Sequence, residues 1–229
     1  PVMRTQRRSP CPPARASAGA EYRSAPVRPD VALVAPYPPA GERHGGHSGV
    51  ASYTANLAHA LVDAGAHVTV VAAHLNEPAE PDDFTDGGVL VRRRYDLGPG
   101  ALPRAAAAAR DAGARVIHLQ WELFLYGGPT ALPGLVPALA TLRRDHAPLV
   151  TTMHQVLDPA SIDRRTTGLH RVGVPAPLAR AGIGTVQRAI ATASDVTVVH
   201  EQPFTRVVPR STVIPHGIEA PSRGDRQAA

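Results

Sequence analysis

The chain has 229 residues, a hydrophobic content of 43% and a formal net charge of +5 at pH 7. It is long enough for one large domain with a sizeable core. Because all 24 basic residues are arginine, it has no lysine to act as a nucleophile, form a Schiff base or serve a P-loop. Most of the positive excess lies within residues 1–30, so the rest lacks the basic stripe of a nucleic-acid-binding protein.

The sequence also bears on the cellular compartment. Its single cysteine, Cys11, cannot form an internal disulfide, which favours a reducing compartment. No apolar run approaches the roughly 20 residues of a membrane-spanning helix. The N-terminal arginines are not followed by the apolar stretch of a secretory signal. We expect a soluble, cytoplasmic protein that binds no nucleic acid, and a peripheral contact with a membrane stays open.

Composition and periodicity predict one domain between two tails. Residues 1–29 and 220–229 show no hydrophobic periodicity, which indicates disorder, so the domain is expected over 30–219. Apolar or alternating runs predict strands at 31–36, 67–73, 88–95, 115–122, 148–155, 195–201 and 211–217. Apolar residues at spacings of three and four predict helices at 49–64, 102–113, 130–145 (interrupted by Pro133 and Pro137) and 178–194. The alternation predicts an α/β fold with a doubly wound, mainly parallel sheet of about seven strands and helices on both faces.

Polar residues are concentrated directly after the predicted strands. In such sheets ligands bind beyond the carboxyl ends of the strands. The segments at these ends are "GERHGGHSG" (41–49), "QWELFLYGG" (120–128), "HQVLD" (154–158), "HEQPF" (200–204) and "PHGIE" (215–219). All five carry more polar chemistry than plain turns require, so we expect the functional residues there.

Three interpretations of the first of these loops are weak. Gly45, Gly46 and Gly49 do not have the G-x-G-x-x-G spacing of a dinucleotide site. "HGG" and "GHSGV" resemble pieces of a hydrolase site, but both lie on one loop and the last glycine of G-x-S-x-G is a valine. His44 and His47 could bind a metal, but no third ligand follows at a recognisable spacing.

The fourth interpretation is a cradle for a phosphate or a sugar. Glycine lets the backbone approach a ligand closely, and free N–H groups at a helix N-terminus favour anions. Ser48, Gly49 and Val50 would supply those groups. Every residue that this interpretation requires is present. A tight turn from a strand to a helix also favours glycine, however, so the glycines could have a purely structural role.

Four segments together resemble glycosyltransferase family 4, whose members are retaining enzymes of the GT-B fold. They are, in chain order, "SGVASYTANLAHALVDAGAHVTVV", "VIHLQWELFLYGG", "LVTTMHQVLD" and "ASDVTVVHEQPFTRVVPRSTVIPHGIE". The resemblance covers residues 31–219 and implies a Rossmann-like N-terminal domain on the acceptor side, one half of a GT-B fold. It implies transfer of a hexose from a nucleotide diphosphate sugar to an acceptor hydroxyl, with no metal or other cofactor.

The resemblance also implies roles for single residues. His154 matches a histidine that lies near the transferred sugar, and Glu122 is expected at the acceptor hydroxyl; both are candidate catalytic residues. The candidate substrate-binding residues are Gly45, Gly46, Ser48, Gly49, Gln120, Glu201 and His216. Ser48 stands where the family usually has the first glycine of a pair.

Two questions about function stay open at this stage. The resemblance covers only the family's first domain, and the second domain, which supplies most of the nucleotide-sugar site, is not in this sequence. The enzyme is therefore expected to be incomplete without a second domain, which could be encoded separately. The alternative is a solitary, non-catalytic domain that binds the acceptor or docks a separately encoded donor-binding domain. Arg92, Arg93 and Arg94 fit either an edge strand that faces solvent or contacts with a phosphate or an anionic lipid head group.

Overall fold

The computed structural model describes residues 28–45, 48–75, 80–144, 147–169 and 173–217. Apart from residues 28 and 29, the two predicted tails lie outside the described residues, as do Gly46 and His47. No helix in these described ranges is both long and apolar enough to cross a membrane.

The described chain forms an eight-stranded sheet in the order β3-β4-β2-β1-β5-β6-β7-β8. The strands are β1 (Val31–Val34), β2 (Val68–Ala73), β3 (Asp83–Asp86), β4 (Val89–Tyr95), β5 (Val116–Trp121), β6 (Leu149–Met153), β7 (Val196–Val199) and β8 (Thr212–Val213). All neighbours are parallel except the β3–β4 pair. The chain runs outwards from β1 to β2 on one side and to β5 on the other, so the strand order reverses between β1 and β5. This is the position at which doubly wound sheets bind ligands.

Helices cover both faces of the sheet. They are α1 (Gly49–Asp63), α2 (Ala101–Asp111), α3 (Leu135–Leu142), α4 (Arg164–Leu169) and α5 (Ala176–Ala193), with 3-10 helices at Gly128–Gly134, Pro159–Ser161 and Gln202–Arg206. The predicted interruption of the third helix is confirmed at Pro133 and is wrong at Pro137, which lies within α3. Pro133 lies in a 3-10 helix, and Pro137 lies in the first turn of α3, where its missing N–H would have no intrahelical acceptor.

The core has two layers because the central strands are buried on both sides. Leu33 packs in the layer that includes α1, whereas its neighbour Val34 packs in the layer that includes α2 and α3. Successive side chains of a strand point to opposite faces, so a continuous apolar run is what such a strand requires. All six residues of β2 are buried for the same reason.

The strand β4 is not an edge strand, because β3 pairs with it along its outer side. Side chains alternate along β4 between a buried and a partly exposed face, and Arg93 lies on the buried face, where its side chain is 1% exposed. Its Nη2 lies 2.5 Å from Glu80 Oε1, and its other N–H groups donate to Glu80 and to the carbonyls of Pro38 and Ala73. Arg94 pairs with Asp83 at 2.6 Å. Both guanidinium groups have carboxylate partners in the protein, and Arg93 fixes the loop that follows β1.

Candidate functional site at the carboxyl edge of the sheet

A pocket of about 810 Å³ opens at the carboxyl ends of the parallel strands. We call it the rim pocket; it is lined by Gly49, Val50, Tyr53, Asn56, Leu57, Ala60, Glu122, His154, Ile214, Pro215, His216 and Gly217. These residues come from four separate parts of the chain: α1 and the segments after β5, β6 and β8. The sheet thus brings together four of the residues singled out from the sequence, namely Gly49, Glu122, His154 and His216.

Strand register explains why the histidines meet. Met153 of β6 is paired with Val199 of β7, so His154 and His200 follow paired positions on adjacent strands. The backbone N–H of His154 donates to the carbonyl of Trp121 at 2.9 Å, which continues the β5–β6 pairing by one residue. His216 follows β8, the neighbour of β7.

The His154 ring has a partner at each nitrogen. Its Nε2 lies 2.6 Å from the side-chain oxygen of Gln120, and its Nδ1 lies 3.3 Å from His200 Nε2. Gln120 is fully buried and is not among the residues that line the rim pocket. Its amide nitrogen lies 3.3 Å from His118 Nε2, which is itself 2.8 Å from the hydroxyl of Thr152. Gln120 was predicted to bind substrate. In the structure it lies beneath His154 and holds the His154 ring by a hydrogen bond.

Burial favours the neutral form of three histidines, His118, His154 and His200. Burial, with smaller effects of His200 and His216, lowers the pKa of His154 from 6.5 to about 3. Burial likewise lowers the pKa of His118 to about 4, and it lowers the pKa of His200. At neutral pH His154 is consequently an uncharged ring, and it does not serve as a cationic acid.

Tyr53 of α1 packs edge-on against the histidines. Its ring centroid lies 4.8 Å from that of His154 and 5.6 Å from those of His200 and His216. Tyr53 carries no functional signal in the sequence, because its spacing on α1 is that of an ordinary core residue. His200 lies in the predicted segment 200–204, but only the adjacent Glu201 was predicted to bind substrate.

The N-terminus of α1 borders two pockets. Ser48 is the N-cap residue and has an extended backbone, and its side chain makes no capping hydrogen bond. It lines a second pocket of about 150 Å³, which shares Glu122 with the rim pocket. Within the described ranges, Ser48 Oγ and Asn56 Oδ1 are buried without a hydrogen-bond partner. A polar ligand can satisfy such groups, whose burial is otherwise costly.

Glu122 lies at the point where the strand order reverses. It directly follows β5, opposite the helix that follows β1, and it lines both pockets. Partial burial raises the pKa of its carboxyl group. A half-buried carboxylate in this position is suited to accept a hydrogen bond from a ligand hydroxyl.

Two other candidate residues lie apart from the rim pocket. Gly45 is exposed, has a φ of +139°, and does not line the pocket. Glu201 is exposed and is the N-cap of the 3-10 helix Gln202–Arg206. Gly46 lies outside the described residues.

The strand order, the helices on both faces and the rim pocket at the carboxyl ends define a Rossmann-like domain of the kind that forms half of a GT-B glycosyltransferase. Residues 48–214 match the family described as "Glycosyl transferase 4-like domain". The match covers more than half of the chain, and the chain belongs to this family. The resemblance stated from the sequence is confirmed, and so is the predicted fold.

Solved structures agree with this fold. Two structures of sucrose-phosphate synthase from Thermosynechococcus elongatus are similar to the chain, each at 17% sequence identity. One has a TM-score of 0.50 over 82% of this chain and 88% of that chain. The other has a TM-score of 0.51 over 81% of this chain and 47% of that chain, so the present chain spans about half its length. A search of curated proteins found no match.

Proposed function

We propose that this chain is the acceptor-side half of a retaining glycosyltransferase. It would move a hexose from a nucleotide diphosphate sugar to an acceptor hydroxyl. The observation that carries the proposal is the convergence of Gly49, Glu122, His154 and His216 on one pocket of about 810 Å³. A volume of that size is within the range of small-molecule sites in proteins.

The N-terminus of α1 is suited to stabilise negative charge. The N–H groups of Gly49 and Val50 belong to the first turn of the helix, where they lack intrahelical acceptors. Gly49 lines the rim pocket, and a Cβ built on it would meet nothing within 4 Å. A diphosphate group can therefore approach this backbone, and fixed donors of this kind stabilise the charge that develops as the sugar leaves.

His154 would form the wall against the sugar ring. Its Nε2 is hydrogen-bonded to Gln120, its Nδ1 faces His200, and its ring is neutral at pH 7. Its contribution is thus a fixed, uncharged surface, with no acid–base step assigned to it. Glu122 would accept a hydrogen bond from the acceptor hydroxyl, and Ser48 Oγ and Asn56 Oδ1 would bind other ligand groups.

A separate donor-binding domain is part of the proposal. Leu97, Phe124 and Ile214 each follow a strand at the carboxyl edge, and their exposed fractions are 44%, 41% and 49%. Exposed apolar residues at the mouth of a pocket are typical of a surface that another domain covers. We also propose a cytoplasmic location, which the single cysteine supports.

The test is a transfer assay with the purified chain, alone and mixed with candidate donor-binding domains. Sugar nucleotides are supplied, and both hydrolysis and transfer are measured. Transfer only on mixing is the result we expect. His154→Ala should abolish this transfer while circular dichroism stays unchanged, and an unaltered rate would remove His154 from the site.

The alternative is a non-catalytic domain that binds an acceptor or docks a donor-binding partner. The exposed side chains of Leu97, Phe124 and Ile214 at the carboxyl edge suit such a docking role as well as they suit the enzyme. Stable association with a partner, together with a complete lack of transfer in every mixture, would support this alternative and contradict the enzyme.

A further inference from the structure

Three imidazole rings meet beside the rim pocket, and we call them the histidine cluster: His154, His200 and His216. Their ring nitrogens offer one ligand atom each, and these atoms all lie within 4.8 Å of one another. Each ring comes from a different segment, after β6, after β7 and after β8 respectively. The cluster is graded in exposure, because His200 is buried, His154 is half-buried and His216 is exposed.

Hydrogen bonds to the outside of the cluster fix which nitrogens carry protons. A backbone carbonyl can only accept, so His200 Nδ1, which lies 2.8 Å from the carbonyl of Ile214, must donate. The side-chain oxygen of Gln120 likewise accepts from His154 Nε2 at 2.6 Å. In neutral rings the remaining nitrogens, His154 Nδ1 and His200 Nε2, then carry lone pairs.

These two lone pairs face each other at 3.3 Å. Two acceptors at that distance do not attract each other, so a positive centre between them is required for a favourable contact. Neutral imidazole is the form in which histidine binds metal ions.

We propose that the histidine cluster binds one divalent transition-metal ion, for which Zn²⁺ is the natural probe. Tetrahedral zinc with Zn–N bonds of about 2.0–2.1 Å places its ligand nitrogens about 3.3 Å apart. The His154–His200 pair already has this separation. The exposed His216 ring stacks on His200 with the ring centroids 3.5 Å apart, so the proposal requires it to turn for one of its nitrogens to reach the ion.

The outer contacts match those of a built metal site. Ligating histidines usually donate their second N–H to a carbonyl or carboxylate, which orients the ring and raises its basicity. The Gln120 oxygen does this for His154, and the Ile214 carbonyl does it for His200. His154 and His216 line the rim pocket, so the fourth position of a three-histidine site would open towards it.

The proposal is independent of glycosyl transfer and is tested by metal binding alone. The full chain, without an affinity tag, is stripped with a chelator and titrated with Zn²⁺ by calorimetry. Co²⁺ is used as a spectroscopic probe of tetrahedral geometry. We expect one ion per chain, and His200→Ala and His216→Ala should each weaken binding by at least about tenfold.

The matched control is His67→Ala, which removes an exposed histidine that lies outside the cluster and pairs with Asp30. It should leave the affinity unchanged. Because His216 is exposed, His216→Ala is expected to fold even if His200→Ala does not, which circular dichroism checks. Equal affinity of the wild-type chain and His216→Ala, or weak binding of several ions per chain, would overturn the site. Lack of any binding would also overturn it, and would assign the 3.3 Å contact to a shared proton or to the opposite orientation of the Gln120 amide.

Discussion

The side-chain oxygen of Gln120 lies 2.6 Å from His154 Nε2, and this bond joins a fully buried strand residue to the wall of the rim pocket. Gln120 is on β5 and His154 follows β6, so the bond crosses between neighbouring strands at the edge of the sheet. The orientation of the His154 ring is therefore set from beneath, by a residue that no ligand in the pocket can touch.

Replacing this support should destabilise the fold. Gln120→Leu leaves His154 Nε2 buried without an acceptor, which we expect to lower the free energy of unfolding by about 1–3 kcal/mol. Urea denaturation at pH 7 measures the change. Gln202→Leu, at an exposed position of a 3-10 helix, is the control and should change stability by no more than about 0.5 kcal/mol. Similar losses in the two variants would deny Gln120 its supporting role.

Stability should fall as the solution is acidified, in part because of His118. Burial lowers the pKa of His118 from 6.5 to about 4, so the unfolded chain binds this proton first as the pH falls. The contribution of His118 to the free energy of unfolding is fully present above about pH 6.5 and is lost as the pH falls towards about 4. Between pH 7 and pH 5 this loss amounts to about 2 kcal/mol.

The variant His118→Gln isolates this effect. Urea denaturation of chelator-treated protein at pH 7 and pH 5 gives the loss for each chain. The loss should be about 2 kcal/mol smaller in His118→Gln than in the wild type. His67→Gln, at an exposed histidine, should retain the wild-type loss. An identical pH dependence in all three proteins would mean that His118 does not titrate as its burial requires.

The sequence predicted the frame of the site well because that frame depends on local patterns. Continuous apolar runs identified the buried parallel strands, and the carboxyl-end rule located the segments that carry Glu122 and His154. The strand β3 was missed because "DFTD" has only one apolar residue. Its pairing depends on a tertiary contact, in which Phe84 lies opposite Val91 and packs edge-on against Tyr37.

The sequence could not predict which side chains of a turn point into the protein and which point into solvent. His200 and Glu201 are adjacent, yet His200 is buried over the sheet edge whereas Glu201 begins a 3-10 helix in solvent. The hydrogen bond from His200 to the Ile214 carbonyl decides this, and it joins residues 14 positions apart. Arg93 was ambiguous for a similar reason, because its ionic partner Glu80 lies outside β4, 13 residues earlier in the sequence.

The buried ion pair of Arg93 and Glu80 should be far more important for stability than the exposed pair of Arg94 and Asp83. Arg93→Met leaves the carboxylate of Glu80, which is 7% exposed, without its cation. Such a loss typically costs about 3–5 kcal/mol. Arg94→Met removes a surface pair and should cost no more than about 1 kcal/mol. Urea denaturation of both variants compares the pairs, and equal losses would show that Arg93 does not anchor the loop after β1.

Gly49 should be needed for ligand approach but not for folding. Its backbone is helical, and a Cβ there meets nothing within 4 Å, so Gly49→Ala should leave the melting temperature unchanged or slightly raised. The same Cβ would project into the proposed diphosphate site and displace the ligand by about 1 Å. A displacement of that size can reduce transfer by about a hundredfold.

The matched control is Gly182→Ala, because Gly182 is also helical, has equal space around it, and lines a different, apolar pocket. Thermal denaturation and the mixed-domain transfer assay are applied to both variants. If the diphosphate binds at the N-terminus of α1, Gly182→Ala should keep the wild-type transfer rate and Gly49→Ala should lose most of it. Full transfer by a folded Gly49→Ala would place the diphosphate away from the N-terminus of α1 and leave that turn with a purely structural role.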